Sequence, residues 1–178
     1  MSWMAALSLL LLSGCQTSDM VAAGAGGDAR YRHRELGYSL GAPVSQDAQG
    51  SVETWHRVEV ERTDIAFRGP RREFVSVVSD CQAEAGRHPD RRASGLLTGV
   101  GPRRRIESGV MDGAQGEGWY QVWEASYDEQ PVRIKTVTAA RDGCVFDWIL
   151  VSAGNFERAD RSFETWRASF EPAAEERR

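Results

Sequence analysis

The chain has 178 residues, of which 41% are hydrophobic and 27% charged, and its formal net charge is -4. This length allows one domain with a core of ordinary size, and the composition is far from that of disordered chains. Because 26 acidic residues outnumber 22 basic ones and both are spread along the chain, there is no basic stripe to bind phosphates. We therefore expect no nucleic acid as a partner.

The N-terminus carries the pattern of an export signal. Residues 4–12 form an apolar run that is too short to cross a bilayer, for which about 20 residues are needed. Such a run at the start of a chain is typical of a signal peptide. Residues 1–3 depart from the pattern, because they contain no Lys or Arg. The alternative is a buried helix that happens to precede a cysteine.

The apolar run ends at residues 12–15, Leu-Ser-Gly-Cys, which are similar to the lipobox of bacterial lipoprotein precursors. The resemblance implies that residues 1–14 are a lipoprotein signal peptide and that the mature chain begins at a lipidated Cys15. Two or three acyl chains, in which each buried methylene contributes about 0.8 kcal/mol, anchor a protein stably to a membrane. Gln16 stands where an Asp would retain such a protein in the inner membrane. The resemblance therefore favours the periplasmic face of the outer membrane.

Residues 15–30 are rich in Gly and Ala and predict a flexible tether between the lipid and the domain. If Cys15 is lipidated, Cys81 and Cys144 remain as a pair in an oxidising compartment, where we expect a disulfide between them. Closing a loop of about 60 residues stabilises the fold by roughly 4 kcal/mol in the chain-entropy model. Two separate buried thiols are the alternative. A catalytic thiol is not favoured, because no histidine pattern accompanies either cysteine.

Alternating and β-branched segments predict an antiparallel sheet. A ragged hairpin is expected over residues 31–43 and a polar loop over residues 44–54. Further strands are predicted at residues 55–62, 64–68, 74–79 and 103–111. The last three strands, at residues 119–127, 132–140 and 144–152, form a predicted meander. Asp142-Gly143 between two alternating runs is a strong signal for a tight hairpin turn.

Two segments have the period of a helix with one apolar face. Within residues 89–100, apolar side chains recur at intervals of three and four at Ala93, Leu96, Leu97 and Val100. After Asn155, a suitable N-cap, one stripe contains Phe156, Ala159, Phe163, Trp166 and Phe170. The sequence therefore predicts one α+β domain over residues 31–170, with a twisted antiparallel sheet and two helices packed on it. Residues 171–178 are expected to be a charged tail.

The order of these parts resembles the PsbP-like fold, an α/β sandwich. The residues that carry the resemblance are 37–43, Gly-Tyr-Ser-Leu-Gly-Ala-Pro, then Trp55, the late meander and the closing helix. Residues 64–70, with Cys81 and Cys144, are similar to a set of uncharacterised proteobacterial lipoproteins. PsbP-like domains serve as assembly factors, extrinsic subunits and ligand-binding modules. The resemblance thus implies a non-catalytic binding or assembly module of the cell envelope, although a fold does not fix a function.

No pattern of catalytic, metal-binding or cofactor-binding residues is visible in the sequence. His33, His56 and His88 are too far apart for a typical zinc-ligand spacing. Ser76 and Ser79 lack the Gly-x-Ser-x-Gly context of a nucleophile elbow. We therefore predict no catalytic residue, no metal and no cofactor. The alternative is a small, hydrolase-like envelope enzyme whose cleft joins distant residues, such as His56 and an acidic partner.

Two groups of side chains are candidates for a partner surface. Trp119 and Trp123 share one face of a strand, and Arg103, Arg104 and Arg105 form a local basic run. If they are exposed, they would contact an envelope protein, an apolar ligand or lipid head groups, because aromatic and Arg side chains contribute most to binding. Core positions for the tryptophans and a charge-protected sheet edge for the arginines are the alternatives. A purely structural spacer is a third function that the composition allows.

Overall fold

The structure is a computed structural model that describes residues 20–23, 30–81, 92, 95–97, 100–101, 103–111 and 117–173. The predicted signal peptide, Cys15, most of the predicted tether and residues 174–178 of the predicted tail lie outside these ranges. Within them, no helix has the length and apolar character that a membrane span requires.

Strands dominate the described residues. In chain order they are β1 (Met20–Ala23), β2 (Arg30–His33), β3 (Ser39–Gly41), β4 (Ser45–Gln46), β5 (Val52–Glu53), β6 (His56–Val58), β7 (Ile65–Arg68), β8 (Glu73–Asp80), β9 (Arg103–Met111), β10 (Gly118–Tyr127), β11 (Gln130–Arg141) and β12 (Cys144–Ser152), followed by helix α1 (Phe156–Ala168). The main sheet has seven strands in the order β6-β7-β8-β12-β11-β10-β9. All its neighbouring strands are antiparallel. Strands β1, β2 and β3 form a separate small sheet, and β4 pairs with β5.

The meander of β10, β11 and β12 is confirmed to within two residues at each strand end. Asp142 and Gly143 have φ values of 52° and 77°, as a tight turn between twisted strands requires. The turn from β10 to β11 is tighter than expected, because Asp128 and Glu129 adopt φ values of 48° and 63°. Strand β11 consequently begins at Gln130, where the sequence predicts a loop.

Helix α1 packs its apolar stripe on one face of the main sheet, which we call the helix face. The helix begins after Asn155, whose side chain accepts a hydrogen bond from the Arg158 backbone N–H. Trp166 lies edge-on to Trp148 of β12, with ring centroids 5.2 Å apart. Phe170, beyond the end of α1, stacks on Tyr38 at 5.3 Å. One core therefore joins the helix, the sheet and the segment around β3.

The opposite face of the sheet has a smaller apolar cluster of its own. Trp123, Val132 and Ile134 pack there with the buried Leu97. Leu97 belongs to the connection from β8, which lies in the middle of the sheet, to β9 at one edge. Leu97 therefore covers apolar side chains of this face that would otherwise contact water.

Three expectations differ from the structure. Only one of the two predicted helices is established. The first falls mostly outside the described residues, and among its described residues Arg92, Gly95 and Leu96 are helical. The predicted polar loop at residues 44–54 contains the β4–β5 hairpin. Residues Met20–Ala23 of the predicted tether pair with β2. In both segments, backbone hydrogen bonding to a neighbouring strand outweighs the low strand propensity of polar and small residues.

We expect Trp166→Ala to lower the free energy of unfolding by about 3–5 kcal/mol, because it leaves a cavity beneath the helix. Tyr127→Ala is the matched control, since Tyr127 is 61% exposed, and we expect it to cost about 0.5 kcal/mol or less. Urea unfolding followed by circular dichroism measures both. Equal effects of the two substitutions would contradict the assignment of the core.

Candidate functional site

A groove of about 430 Å³ opens between α1 and the β4–β5 hairpin. Its walls are formed by Val44, Ser45, Gln46 and Asp47 on the hairpin side and by Arg158, Arg161, Ser162 and Thr165 on the helix side. The helix residues follow the spacing i, i+3, i+4 and i+7, which places them on one face along about 10 Å of helix. The volume lies in the range of small-ligand pockets, about 300–1,000 Å³.

The hairpin wall and the helix wall run in antiparallel directions, and hydrogen bonds fix their relative position. Near the C-terminal end of α1, Trp166 Nε1 donates to the Gly41 carbonyl at 2.9 Å, and the Gly41 N–H donates to Ser169 Oγ at 3.0 Å. Near its N-terminal end, Arg158 Nη1 donates to Glu53 Oε2 at 2.6 Å. Glu53 is the strand partner of Ser45. Contacts at two positions along α1 therefore fix the separation of the two walls.

The charge of Arg158 is neutralised beneath the groove. Its guanidinium bridges Glu53 and the buried Glu73, which is 2% exposed. A second arginine, Arg71, pairs with Glu53 at 2.7 Å. Removing one member of such a network leaves a buried charge without its partner. The network thus fixes Arg158 in place as part of the wall.

Arg161 differs from Arg158, because its side chain is exposed at the rim of the groove. Among the ion pairs of the described residues, none includes Arg161. On the facing wall, Asp47 Oδ1 accepts hydrogen bonds from the N–H groups of Gln49 and Ser51 at 2.9 and 2.8 Å. Its carboxylate therefore organises the hairpin turn.

The sequence-predicted surface is divided between the two faces of the sheet. Trp123 is 9% exposed, and the guanidinium groups of Arg103 and Arg105 each lie over its ring at 5.8 Å. Arg104 lies on the helix face and pairs with Glu124 at 2.6 Å. Trp119 is partly buried. The tryptophans are thus largely covered, while the three arginines are exposed along the edge strand β9.

A buried cluster brings together three polar residues that are distant in sequence. Tyr38 donates a hydrogen bond of 2.6 Å to Asp64 Oδ2, and His33 Nε2 lies 3.9 Å from Asp64 Oδ1. His33 Nδ1 accepts the N–H groups of Glu35 and Leu36. Both ring nitrogens of His33 thus face groups of the protein itself. The cluster fixes the β2–β3 segment to the main sheet, and its geometry is that of a structural network.

Burial sets the pKa of two carboxyl groups. It raises the pKa of Asp64 above the usual 3.8, although hydrogen bonds from Tyr38 and Ser79 lower it in part. It also raises the pKa of Asp147, although Thr138 donates to this carboxylate at 2.7 Å and Arg92 donates at 2.6 Å. In both sites the cost of removing the charge from water exceeds the gain from the partners.

A third network joins α1 to the sheet through the single lysine of the chain, Lys135. Its ammonium lies 2.7 Å from Asp160 and 2.8 Å from Glu164. Burial alone would lower the pKa of Lys135, but these two carboxylates raise it overall. Burial would raise the pKa of Glu164, but hydrogen bonds from Lys135 and Arg167 lower it overall. The ion pairs therefore orient the helix over β11.

The part of the chain that the structure describes contains no group of three or more His, Cys, Asp or Glu side chains arranged to hold a metal ion. His56, which the enzyme hypothesis invokes, is exposed on the edge strand β6, and no ion pair of the described residues includes it. Cys81 and Cys144 are joined by a disulfide across 63 positions of sequence. It links the end of β8 to the start of β12, and neither sulfur is available as a free thiol.

The groove could not be predicted from the sequence, because one of its walls lies in the segment predicted as a loop. A signal for the hairpin is present in residues 47–50, Asp-Ala-Gln-Gly, since Asp often caps its own turn and Gly50 has a φ of 82°. The helix wall consists of the polar face of α1, which periodicity alone describes as solvated surface. Their apposition depends on contacts between residues more than 100 positions apart, such as Glu53 and Arg158.

We expect the stability of the wild-type protein relative to the Asp64→Asn variant to increase in mild acid. A carboxyl with a raised folded-state pKa contributes stability that is fully present below the unfolded value of 3.8 and is lost as the pH rises through the folded value. The difference in free energy of unfolding, wild type minus variant, should therefore increase as the pH falls from 7 to about 4. Urea unfolding at a series of pH values measures it.

Glu164→Gln provides a control of opposite sign, because the pKa of Glu164 is lowered from 4.5. Its contribution is present above 4.5 and is lost as the pH falls through the folded value. The corresponding difference should therefore decrease in acid. Parallel pH curves for the two variants would be inconsistent with the assigned environments.

Comparison with known proteins identifies the type of fold. The sequence matches no protein-family model and no curated protein. Among solved structures, cyanobacterial PsbP (CyanoP) from Synechocystis sp. PCC 6803 aligns with a TM-score of 0.56 and 14% identity, over 89% of this chain and 95% of that one. PA94 from Pseudomonas aeruginosa, a protein of unknown function described as a putative regulator, aligns with a TM-score of 0.50 and 11% identity, over 87% and 98%.

LpqN of Mycobacterium tuberculosis, which is involved in cell envelope biogenesis, aligns more loosely, with a TM-score of 0.41 and 9% identity over 87% of this chain and 91% of that one. The alignments with CyanoP and PA94 show the fold, and identities this low leave the function open. The alignment with CyanoP covers nearly the whole of both chains. From its sheet, its closing helix and this alignment, the chain has a PsbP-like fold.

Proposed function

We propose that this protein is an exported, lipid-anchored, non-catalytic binding or assembly module of the bacterial cell envelope, and that the groove between α1 and the β4–β5 hairpin is its binding site. The observation that carries the proposal is this groove of about 430 Å³ with polar walls. Its walls are held by hydrogen bonds and ion pairs that do not require a ligand. A pre-formed cleft of this kind binds without paying for ordering of its walls.

The proposed location rests on the cysteines. The lipobox-like residues 12–15 support the proposal that Cys15 is lipidated and that the domain lies outside the cytoplasm. The disulfide between Cys81 and Cys144 is consistent with that compartment, because disulfides persist in oxidising environments. The membrane is thus a partner through the lipid anchor. Gln16 favours the periplasmic face of the outer membrane.

A second surface for an envelope protein is proposed along β9. Arg103, Arg104 and Arg105 are exposed on this strand, which forms one edge of the main sheet. Trp123 lies beneath two of them and supports their side chains. A β-bulge between residues paired with Val122 and Trp123 interrupts this edge. Because charges and bulges discourage strand addition, side-chain contacts of the arginines would provide the binding.

The anchor and the disulfide are tested by intact mass of the protein purified from membranes of a lipoprotein-processing bacterium. We expect the mass of residues 15–178 plus acyl chains, and alkylation of Cys81 and Cys144 only after reduction. Cys15→Ser should remain unlipidated with the same disulfide, which makes it the matched control. An unmodified full-length mass with freely reacting thiols would overturn the proposed location.

The two proposed surfaces are distinguished by photo-crosslinking in cells. A photoreactive amino acid replaces exposed Thr165 in the groove or Ile106 on β9, and Val60, which is exposed elsewhere, serves as the control position. We expect discrete adducts from Thr165 and none from Val60. Adducts from Ile106 alone would transfer the proposed binding site to β9. Identical patterns at all three positions would argue against a specific binding role.

A further inference from the structure

We propose that the groove binds an extended peptide segment through one acidic side chain, and that Arg161 is the residue that pairs with its carboxylate. This inference depends on the proposed binding role of the groove but not on the lipid anchor. It identifies the class of ligand from the charges and dimensions of the two walls.

The three arginines of α1 have different charge environments. Arg158 is paired with Glu53 and Glu73, and Arg167 is paired with Glu164 at 2.8 Å. Arg161 is exposed at the groove, and no ion pair of the described residues includes it. A guanidinium presents a planar fork of N–H donors that matches a carboxylate. Arg161 is therefore the cation of the helix wall that is available to a ligand.

One available guanidinium favours one carboxylate over a phosphate group. Phosphate carries up to two negative charges and is usually recognised by several converging donors or cations. The second arginine of the wall, Arg158, is already neutralised by two carboxylates. Asp47 adds a negative charge to the opposite wall. The charges of the groove thus favour a ligand with a single acidic group, because Asp47 would repel a second one.

The shape of the groove favours an extended chain. Its helix wall extends about 10 Å, the length of about three extended residues at 3.3 Å each. Ser162, Thr165 and Gln46 provide hydroxyl and amide groups for hydrogen bonds to a peptide backbone. Val44, which is 46% exposed, provides an apolar contact for a neighbouring side chain. The ligand class is therefore an extended peptide with one acidic residue and an apolar neighbour.

The test is an NMR titration of the full chain in detergent micelles with a capped peptide of sequence Ser-Val-Glu-Val-Ser. We expect shifts of the backbone amides of Ser45, Gln46, Ser162 and Thr165. The matched peptide Ser-Val-Gln-Val-Ser should bind more weakly by up to about fivefold, the upper end for one exposed ion pair. Arg161→Ala should reduce binding of the Glu peptide to the level of the Gln peptide, and Arg161→Lys should bind at an intermediate level.

Arg68→Ala is the control, because Arg68 is exposed on β7 and its neighbours in sequence place it on the sheet face opposite α1. It should leave binding unchanged. Equal affinities of the two peptides for the wild type, equal loss in Arg68→Ala, or groove shifts caused as strongly by inorganic phosphate would overturn the inference. So would the absence of groove shifts at a peptide concentration of about 5 mM, above the Kd of about 1 mM expected for so small a contact.

Failure of this inference is distinguishable from failure of the proposed function. Crosslinks from Thr165 in cells, together with equal binding of the Glu and Gln peptides, would retain the groove as a binding site and overturn its preference for an acidic peptide. A preference for the Glu peptide that Arg161→Ala removes, with no crosslinks from Thr165, would support the inference and contradict the proposed role in the envelope.

Discussion

The packing of α1 on β12 is the contact on which the rest of the structure depends. Trp148 is completely buried at the centre of the main sheet, and Trp166 meets it edge-on from the helix. Aromatic side chains of this size bury 150–250 Å² each and prefer such edge contacts. Phe163 and Phe170 extend the same stripe toward both ends. The position of the helix on the sheet is thereby fixed, and the segments that contact the helix are positioned with it.

The groove follows from this packing. Trp166 packs its ring in the core, and its indole N–H donates a hydrogen bond to the Gly41 carbonyl. The chain that continues from Gly41 must then run along α1 before it forms the β4–β5 hairpin. Arg158 binds Glu53, the strand partner of Ser45, and so joins the hairpin to the helix at a second position. The groove is the space left between two elements that are joined at two positions, so its shape depends on the core as much as on its own lining.

Charged side chains have different consequences according to where the fold places them. The ion pairs of Lys135 orient α1 and overcome the cost of burying an ammonium, as the raised pKa of Lys135 indicates. At Asp64 and Asp147 the burial cost exceeds the gain, so these carboxylates favour the folded state less at neutral pH than in mild acid. Polar networks of this kind select one arrangement of the elements, because partial satisfaction of a buried group is costly.

Much of the fold could be predicted because the signals are local. Strict alternation specified β10, β11 and β12, the Asp142-Gly143 turn specified one hairpin, and the stripe after Asn155 specified α1. The turn at Asp128 and Glu129 was not predictable in the same way, since Glu tolerates positive φ poorly and adopts it at position 129 only because the strands on both sides pair completely. The β4–β5 hairpin is two residues long per strand and depends on Arg158, so its own sequence resembles a loop.

The sequence by itself determined the class of the domain, the late meander, the closing helix and the pairing expected of Cys81 and Cys144, because each depends on short-range periodicity or on composition. Only the tertiary structure decided which polar residues share a site. Trp123, a candidate surface residue in the sequence, is buried in the structure. Arg158 is neutralised by ion pairs, whereas Arg161 is exposed beside the hairpin. Burial and pairing depend on neighbours far away in the chain, and no local pattern records them.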